Sequence, residues 1–149
     1  VEKIKEKVTK PLEYQVATFY GCHFLKPSAI KNLDDPENPH ILDDLVEATG
    51  AKSMPRQQKM LCCGAGGGLK AAFGDVAMKF TQTNLENMQA SGAKYIIDVC
   101  PFCHLQFDGT QKELGYNIPV LHLSQLYGLA MGMTPEDLAL SAHITPVTL

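Results

Sequence analysis

The sequence predicts a single α/β domain with a mainly parallel sheet of about four strands flanked by helices. Three observations lead there. Strand-like and helix-like stretches alternate along most of the chain, as crossover connections between parallel strands require. A length of 149 residues with 45% hydrophobic content gives enough chain for one domain with a real core. Each of three short cysteine motifs follows a strand-like or short apolar stretch, and ligand sites of such sheets lie beyond the carboxyl ends of the strands.

Residues 1–13 alternate Lys and Glu around Ile4 and Val8, which predicts a solvated helix with a thin apolar edge. Pro11 ends it, and the segment reads as a lead-in or linker. Gln15–Tyr20 has strand composition, closed by Gly21 with Cys22 at its tip. The next stretch carries Pro27, Asp34, Asp35, Pro36 and Pro39 and is expected to be irregular, with Lys26 and Lys31 facing solvent. Asn38-Pro39 is expected to cap and open a helix whose apolar face is Ile41, Leu42, Leu45 and Val46, closed by Gly50. Ala51–Pro55 reads as a short strand, after which Lys59–Cys62 returns the chain to the cysteine site.

Leu69–Ala90 is the longest helical pattern, with Leu69, Ala72, Phe73, Val76, Phe80 and Met88 expected on the core face. Ala93–Val99 is the clearest strand, and it runs straight into Cys100-Pro101-Phe102-Cys103. Pro101 suits the first turn of a helix reaching about Leu114, where Gly115 closes it. Ile118–Leu123 is the last strand. Ser124 is expected to cap a helix through Ala130, and Thr134-Pro135-Glu136-Asp137 to open a final short one. The tail after His143 reads as irregular.

Composition narrows the function. The net charge is −3 and no basic block occurs, which excludes nucleic acid as an expected partner. The apolar runs are too short to span a bilayer, and no signal peptide is visible in Val1–Lys7. A start without Met reads as entry into the middle of a longer polypeptide. The odd cysteine count argues against a disulfide framework. Cys62 and Cys63 are also adjacent, about 3.8 Å apart at Cα, too close for an ordinary disulfide. Reduced thiols in a cytoplasm, serving metal or redox chemistry, fit better.

All five cysteines, Cys22, Cys62, Cys63, Cys100 and Cys103, fall within the three motifs. They are the candidate metal ligands. Cys63–Gly68 is glycine-rich, yet it fails the dinucleotide fingerprint because position 69 is Leu, and it fails the Walker pattern because Leu69 precedes Lys70. Gly64, Gly66 and Gly67 are read instead as letting peptide N–H groups close around an anionic centre. His23 and His104 directly follow motif cysteines and are candidates to hydrogen-bond a sulfur or donate a proton. His122 is expected as a core or edge residue of its strand, while His40 and His143 carry no signal. A thioredoxin-like dithiol at Cys100 and Cys103 would leave three cysteines idle. Zinc would take four thiolates and leave one spare. An ordinary iron–sulfur cubane also takes four, so a fifth cysteine implies an unusual cluster or a bridging thiolate. Zinc stays open as an alternative, or as a substitute in protein made in a foreign host.

Tyr20-Gly21-Cys22-His23-Phe24-Leu25-Lys26-Pro27, Cys62-Cys63-Gly64-Ala65-Gly66-Gly67-Gly68 and Cys100-Pro101-Phe102-Cys103-His104-Leu105-Gln106-Phe107-Asp108 resemble the cysteine-rich CCG domain, as found in the catalytic subunit of heterodisulfide reductase. The resemblance covers about residues 14–130, and it places 14–149 in a domain similar to the second, C-terminal copy of a tandem pair. It implies that the five cysteines bind a non-cubane iron–sulfur (4Fe-4S) cluster. It also implies an oxidoreductase that reduces the CoM-S-S-CoB disulfide, or a related one, to two thiols in methanogenesis. The implied partners are an upstream CCG domain of the same subunit, iron–sulfur electron-transfer subunits and the disulfide substrate. With one motif, this chain alone is expected to be inactive. Related CCG proteins serve succinate, glycolate and lactate oxidation. A zinc-stabilised structural or docking domain is the other class of function.

Overall fold

The computed structural model describes residues 1–149. After a single helical turn, α1 (Glu2–Lys5), four short strands form one sheet: β1 (Gln15–Phe19), β2 (Lys52–Ser53), β3 (Tyr95–Asp98) and β4 (Val120–His122). Their order is β2-β1-β3-β4, and every pairing is parallel. Parallel neighbours need crossovers, and each crossover carries helix. Between β1 and β2 lie α2 (Cys22–Leu25), α3 (Ser28–Lys31) and α4 (Ile41–Glu47). Between β2 and β3 lie α5 (Leu69–Ala72) and α6 (Gly74–Ala90). Between β3 and β4 lie α7 (Pro101–Thr110) and a 3₁₀ turn over Gln111–Leu114, and α8 (Leu123–Ala130) follows β4. The chain is an α/β domain of the predicted class.

Side chains alternate across the strands, so the sheet has a core on each face. Val16, Tyr20, Ile97 and Leu121 pack with Leu42 and Val46 of α4 and Leu126 and Leu129 of α8. Ala17, Phe19, Ile96 and Val120 pack on the other side with Leu85 and Met88 of α6 and Phe107 of α7. The Phe19 and Phe107 rings meet edge to face, 4.7 Å between centroids. The segment after α1 lies on the first core: Leu12 is buried, and the N–H groups of Thr9 and Lys10 both donate to the Ala130 carbonyl at 2.9 Å.

Several local expectations are corrected. The expected helix over Leu69–Ala90 is broken at Phe73, whose φ of −142° and ψ of 65° are not helical. The helical phase restarts at Gly74, and the buried positions become Ala77, Thr81, Asn84, Leu85 and Met88. Met88 is core as expected, whereas Phe73 is 60% exposed and Val76 37% exposed. The cap of α4 is not Asn38. The Asp34 carboxylate reaches across the loop to accept from the N–H groups of His40 and Ile41, both at 2.6 Å. At α8 the cap is His122, not Ser124: His122 Nδ1 accepts from the Ser124 N–H while Gln125 Oε1 accepts from the His122 N–H at 2.9 Å. The stretch expected to be irregular holds two single-turn helices, α2 and α3. Thr134 and Asp137 make the expected reciprocal bonds but open only turns and a 3₁₀ segment, Leu140–Ala142. No helix of the chain is long and apolar enough to cross a membrane.

Candidate metal centre

β1 and β3 are neighbours whose ends are level, Phe19 facing Asp98. From this pair the chain leaves toward opposite edges of the sheet, β1 leading to β2 and β3 to β4. That makes the crevice beyond their carboxyl ends the switch point of the sheet. Cys22 is the first residue of α2 and Cys100 the N-cap residue of α7, so both emerge there. Cys103, one turn into α7, is buried. Gly21 adopts φ +70°, and a Cβ built on it would lie 3.1 Å from Cys100 Cβ and 3.7 Å from Cys103 Sγ. The exit of β1 thus lies so close to Cys100 and Cys103 that a side chain there would press on them.

Cys62 and Cys63 arrive on the limb between β2 and α5. Two cations hold its first half. Arg56 Nη2 donates to the carbonyls of Thr18 at 3.1 Å and Lys59 at 2.9 Å, with the guanidinium over the Phe19 ring. Lys59 pairs with Asp43 Oδ2 and donates to the Pro39 carbonyl at 2.5 Å. Asp43 also accepts from Thr18 Oγ1 and Ser53 Oγ, both at 2.6 Å, and from the Tyr20 hydroxyl at 3.0 Å. The cysteine end of the limb is held by α6: Asn84 Nδ2 donates to the Cys62 carbonyl and Thr81 Oγ1 to the Cys63 carbonyl, each at 2.9 Å. Gly64, at φ +97°, lies so close to α6 that a Cβ would collide with the Ala77 carbonyl.

The thiols act on one another as one set. A hydrogen bond from Cys103 is the main reason the Cys63 thiol is lowered to about 6; burial opposes it, and the N–H groups of Ala65, Cys63 and Gly66 assist. Cys103, as the donor to Cys63 and a buried group, is raised. Burial and then the charge of Cys62 push Cys22 up to about 11. Five thiolates this close repel unless a cation joins them, so the donor set fits a metal centre. None of the five is paired in a disulfide. Gly64 N–H donates to Cys62 Sγ at 3.3 Å and Ala65 N–H to Cys63 Sγ at 3.4 Å. Of the three glycines expected to turn amides to the centre, Gly64 has its N–H on a cysteine sulfur; the other such amide is that of Ala65. Gly67, at φ +65°, and Gly66 face open space on their Cβ side.

The two candidate histidines differ. His23 is exposed at the rim beside Cys22. His104 is half-buried, and its Nδ1 lies 3.0 Å from Asp98 Oδ2. That hydrogen bond raises the His104 pKa against the effect of burial, while burial holds the Asp98 carboxyl above its ordinary range. His104 also lines a cavity of 410 Å³ with Pro101, Leu105, His122, Ser124 and Gln125.

The ligand-type atoms of His104, Asp108 and His143 lie within 4.8 Å of one another. This set does not invite a metal. Gln125 Oε1 accepts from the His122 N–H, so its Nε2 must donate to His143 Nε2, which puts the His143 proton on Nδ1. Both Asp108 oxygens already accept, from Ile144 and Thr145 N–H.

Sequence reasoning missed Asp98, Thr81, Asn84, Gln106, Asp43, Arg56 and Lys59. Asp98 carried a signal, an acid inside an otherwise apolar parallel strand, and such a group needs a partner.

The cysteine-rich CCG family model matches residues 16–108. The chain belongs to the CCG cysteine-rich domain family. It is 48% identical over 148 residues to a subunit of the ferredoxin:CoB-CoM heterodisulfide reductase of Methanosarcina mazei, covering 95% of this chain and 49% of that protein. It is 36% identical to the membrane anchor subunit of the 8-methylmenaquinol:fumarate reductase of Wolinella succinogenes, covering 99% of this chain and 54% of that one. The chain therefore spans about half the length of these relatives. A crystal structure of a hypothetical protein from Helicobacter pylori superposes with a TM-score of 0.65 at 18% identity, over 99% of this chain and 28% of that one. That likeness concerns the fold alone.

Proposed function

We propose that this CCG domain is the cluster-bearing part of a disulfide-reducing oxidoreductase subunit of the heterodisulfide reductase kind. Its five cysteines would hold a non-cubane iron–sulfur cluster, with the CoB-CoM heterodisulfide or a related disulfide as substrate. The observation that carries this reading is the meeting of all three cysteine motifs at the switch point of the sheet, in a chain 48% identical to a heterodisulfide reductase subunit. A single tetrahedral zinc would employ four of the five thiols. When bound, an iron–sulfur centre supplies electrons one at a time and Lewis acidity toward sulfur.

The chain's own residues do the rest. Cys22, Cys62, Cys63, Cys100 and Cys103 hold the centre, and the amides of Gly64 and Ala65 donate to its sulfurs. His104, oriented through Nδ1 by Asp98, can hold a proton at Nε2 for a departing thiolate. His23, exposed beside Cys22, is the second candidate. The partners fitting this reading are a second CCG domain in the other half of the subunit and iron–sulfur subunits that deliver electrons. Phe102 and Leu105 flank Cys103 on α7 and are 68% and 62% exposed, an apolar rim suited to being covered by such a domain. The unpaired thiols suit a cytoplasmic compartment.

The test is anaerobic purification with metal and sulfide analysis. A brown chain with about four irons and matching acid-labile sulfide supports the reading. A colourless anaerobic chain with one zinc overturns it. In the assembled enzyme, unchanged turnover after His104→Ala and His23→Ala would remove the proton-donor roles.

A further inference from the structure

We infer that Thr81, Asn84 and Gln106, three buried polar side chains away from the thiols themselves, fix the orientation of the Cys62–Cys63 peptides and thereby set the reduction potential of the centre. This rests on the cluster reading above.

All three side chains are fully buried. Thr81 and Asn84 stand on the inward face of α6, where apolar residues would pack more favourably, and Gln106 comes from α7. Two of their acceptors, Asn84 Oδ1 and Gln106 Oε1, have no partner, so the arrangement is not optimised for stability. What they do is donate. Asn84 Nδ2 holds the Cys62 carbonyl at 2.9 Å. Gln106 Nε2 donates to Thr81 Oγ1 at 2.8 Å, which occupies that oxygen as an acceptor and leaves its single proton for donation. Thr81 Oγ1 lies 2.9 Å from the Cys63 carbonyl and 3.0 Å from that of Ala77.

A trans peptide is planar, and its C=O and N–H point in opposite directions. Drawing the Cys63 carbonyl toward α6 therefore turns the Gly64 N–H the other way, and it meets Cys62 Sγ at 3.3 Å. Drawing the Cys62 carbonyl toward α6 likewise turns the Cys63 N–H away from the helix. The helix thus takes the negative ends of two peptide dipoles, turns both positive ends away from itself, and leaves that of Gly64 on a ligand sulfur. N–H donors to cysteine sulfur favour the more negative, reduced state of an iron–sulfur centre and raise its potential. Thr81, Asn84 and Gln106 are positioning residues in this sense.

The test compares Thr81→Val and Asn84→Leu, which keep shape and lose the donor, with Thr81→Ser, which keeps it. In the metal-free chain, the Gly64 amide should exchange hydrogen about tenfold faster in Thr81→Val and at the wild-type rate in Thr81→Ser. In the iron-loaded chain, a redox titration followed by electron paramagnetic resonance should show a lower potential for Thr81→Val and Asn84→Leu. A tenfold change in the one-electron equilibrium corresponds to about 59 mV. Thr81→Ser should titrate with wild type. Unchanged Gly64 exchange in Thr81→Val overturns the proposal, as does an unchanged potential at full iron content. A wild-type chain that takes up no iron overturns the cluster reading and the potential with it, while the exchange result still decides the peptide orientation.

Discussion

Gly21 shows how much a single position can decide. Its φ of +70° is one that L side chains rarely adopt, and a Cβ would press on Cys100 at 3.1 Å. Gly21→Ala is expected to strain the exit of β1 by about 1–2 kcal/mol and to push Cys22 away from the other thiols. The circular dichroism spectrum should stay native while metal content falls well below wild type; metal content equal to wild type would remove this account. The cysteines were legible as one candidate set because all five fall in three motifs, each following a strand-like or short apolar stretch. Thr81, Asn84 and Gln106 were not legible, because a polar residue in a helix ordinarily reads as solvent-facing. The burial of Thr81 and Asn84 depends on where the helical phase restarts after Phe73, and that of Gln106 on which face α7 turns to α6.

At the scale of elements, strands were easier to read than helix ends. In β1 and β3 strand character comes from β-branched and aromatic residues, which are local, and all four strands fall within the predicted stretches. The cap of α8 is a local box in which His122 takes the place expected of Ser124, whereas the cap of α4 depends on loop geometry. Asp34 reaches the N-terminus of α4 from six and seven residues away, a span no short capping pattern covers. Removing it exposes two orphan amides, so Asp34→Ala should lower stability by about 1 kcal/mol in urea unfolding. Asn38→Ala, at the position the sequence nominated, should change little. The reverse ranking would show that the Asp34 bonds do not cap the helix.

Asp43 belongs to the whole molecule, because its carboxylate joins β1 through Thr18, the residue after β1 through Tyr20, β2 through Ser53, and the cysteine limb through Lys59. Burial pushes its pKa up, but the bonds from Lys59, Ser53 and Thr18 outweigh that and hold it below the ordinary carboxylate range. A carboxylate with a depressed folded pKa contributes stability above its unfolded pKa of about 3.9, and the contribution is lost as pH falls through the lower folded value. Asp43→Asn leaves Lys59 without its counter-charge in a half-buried setting and should cost about 3 kcal/mol at neutral pH. Urea unfolding of both proteins across pH should then show the gap at its full size above about pH 5 and narrowing below about pH 3.9, as the wild-type carboxylate takes up its proton. A gap of constant size over that range would mean that the Asp43 charge contributes nothing and that the loss reflects packing alone. Lys59→Met, by removing the cation instead, should shift the acid limb of the wild-type curve upward in pH. That direction follows only if the ion pair, rather than the neutral hydrogen bonds, keeps the limb docked on the sheet.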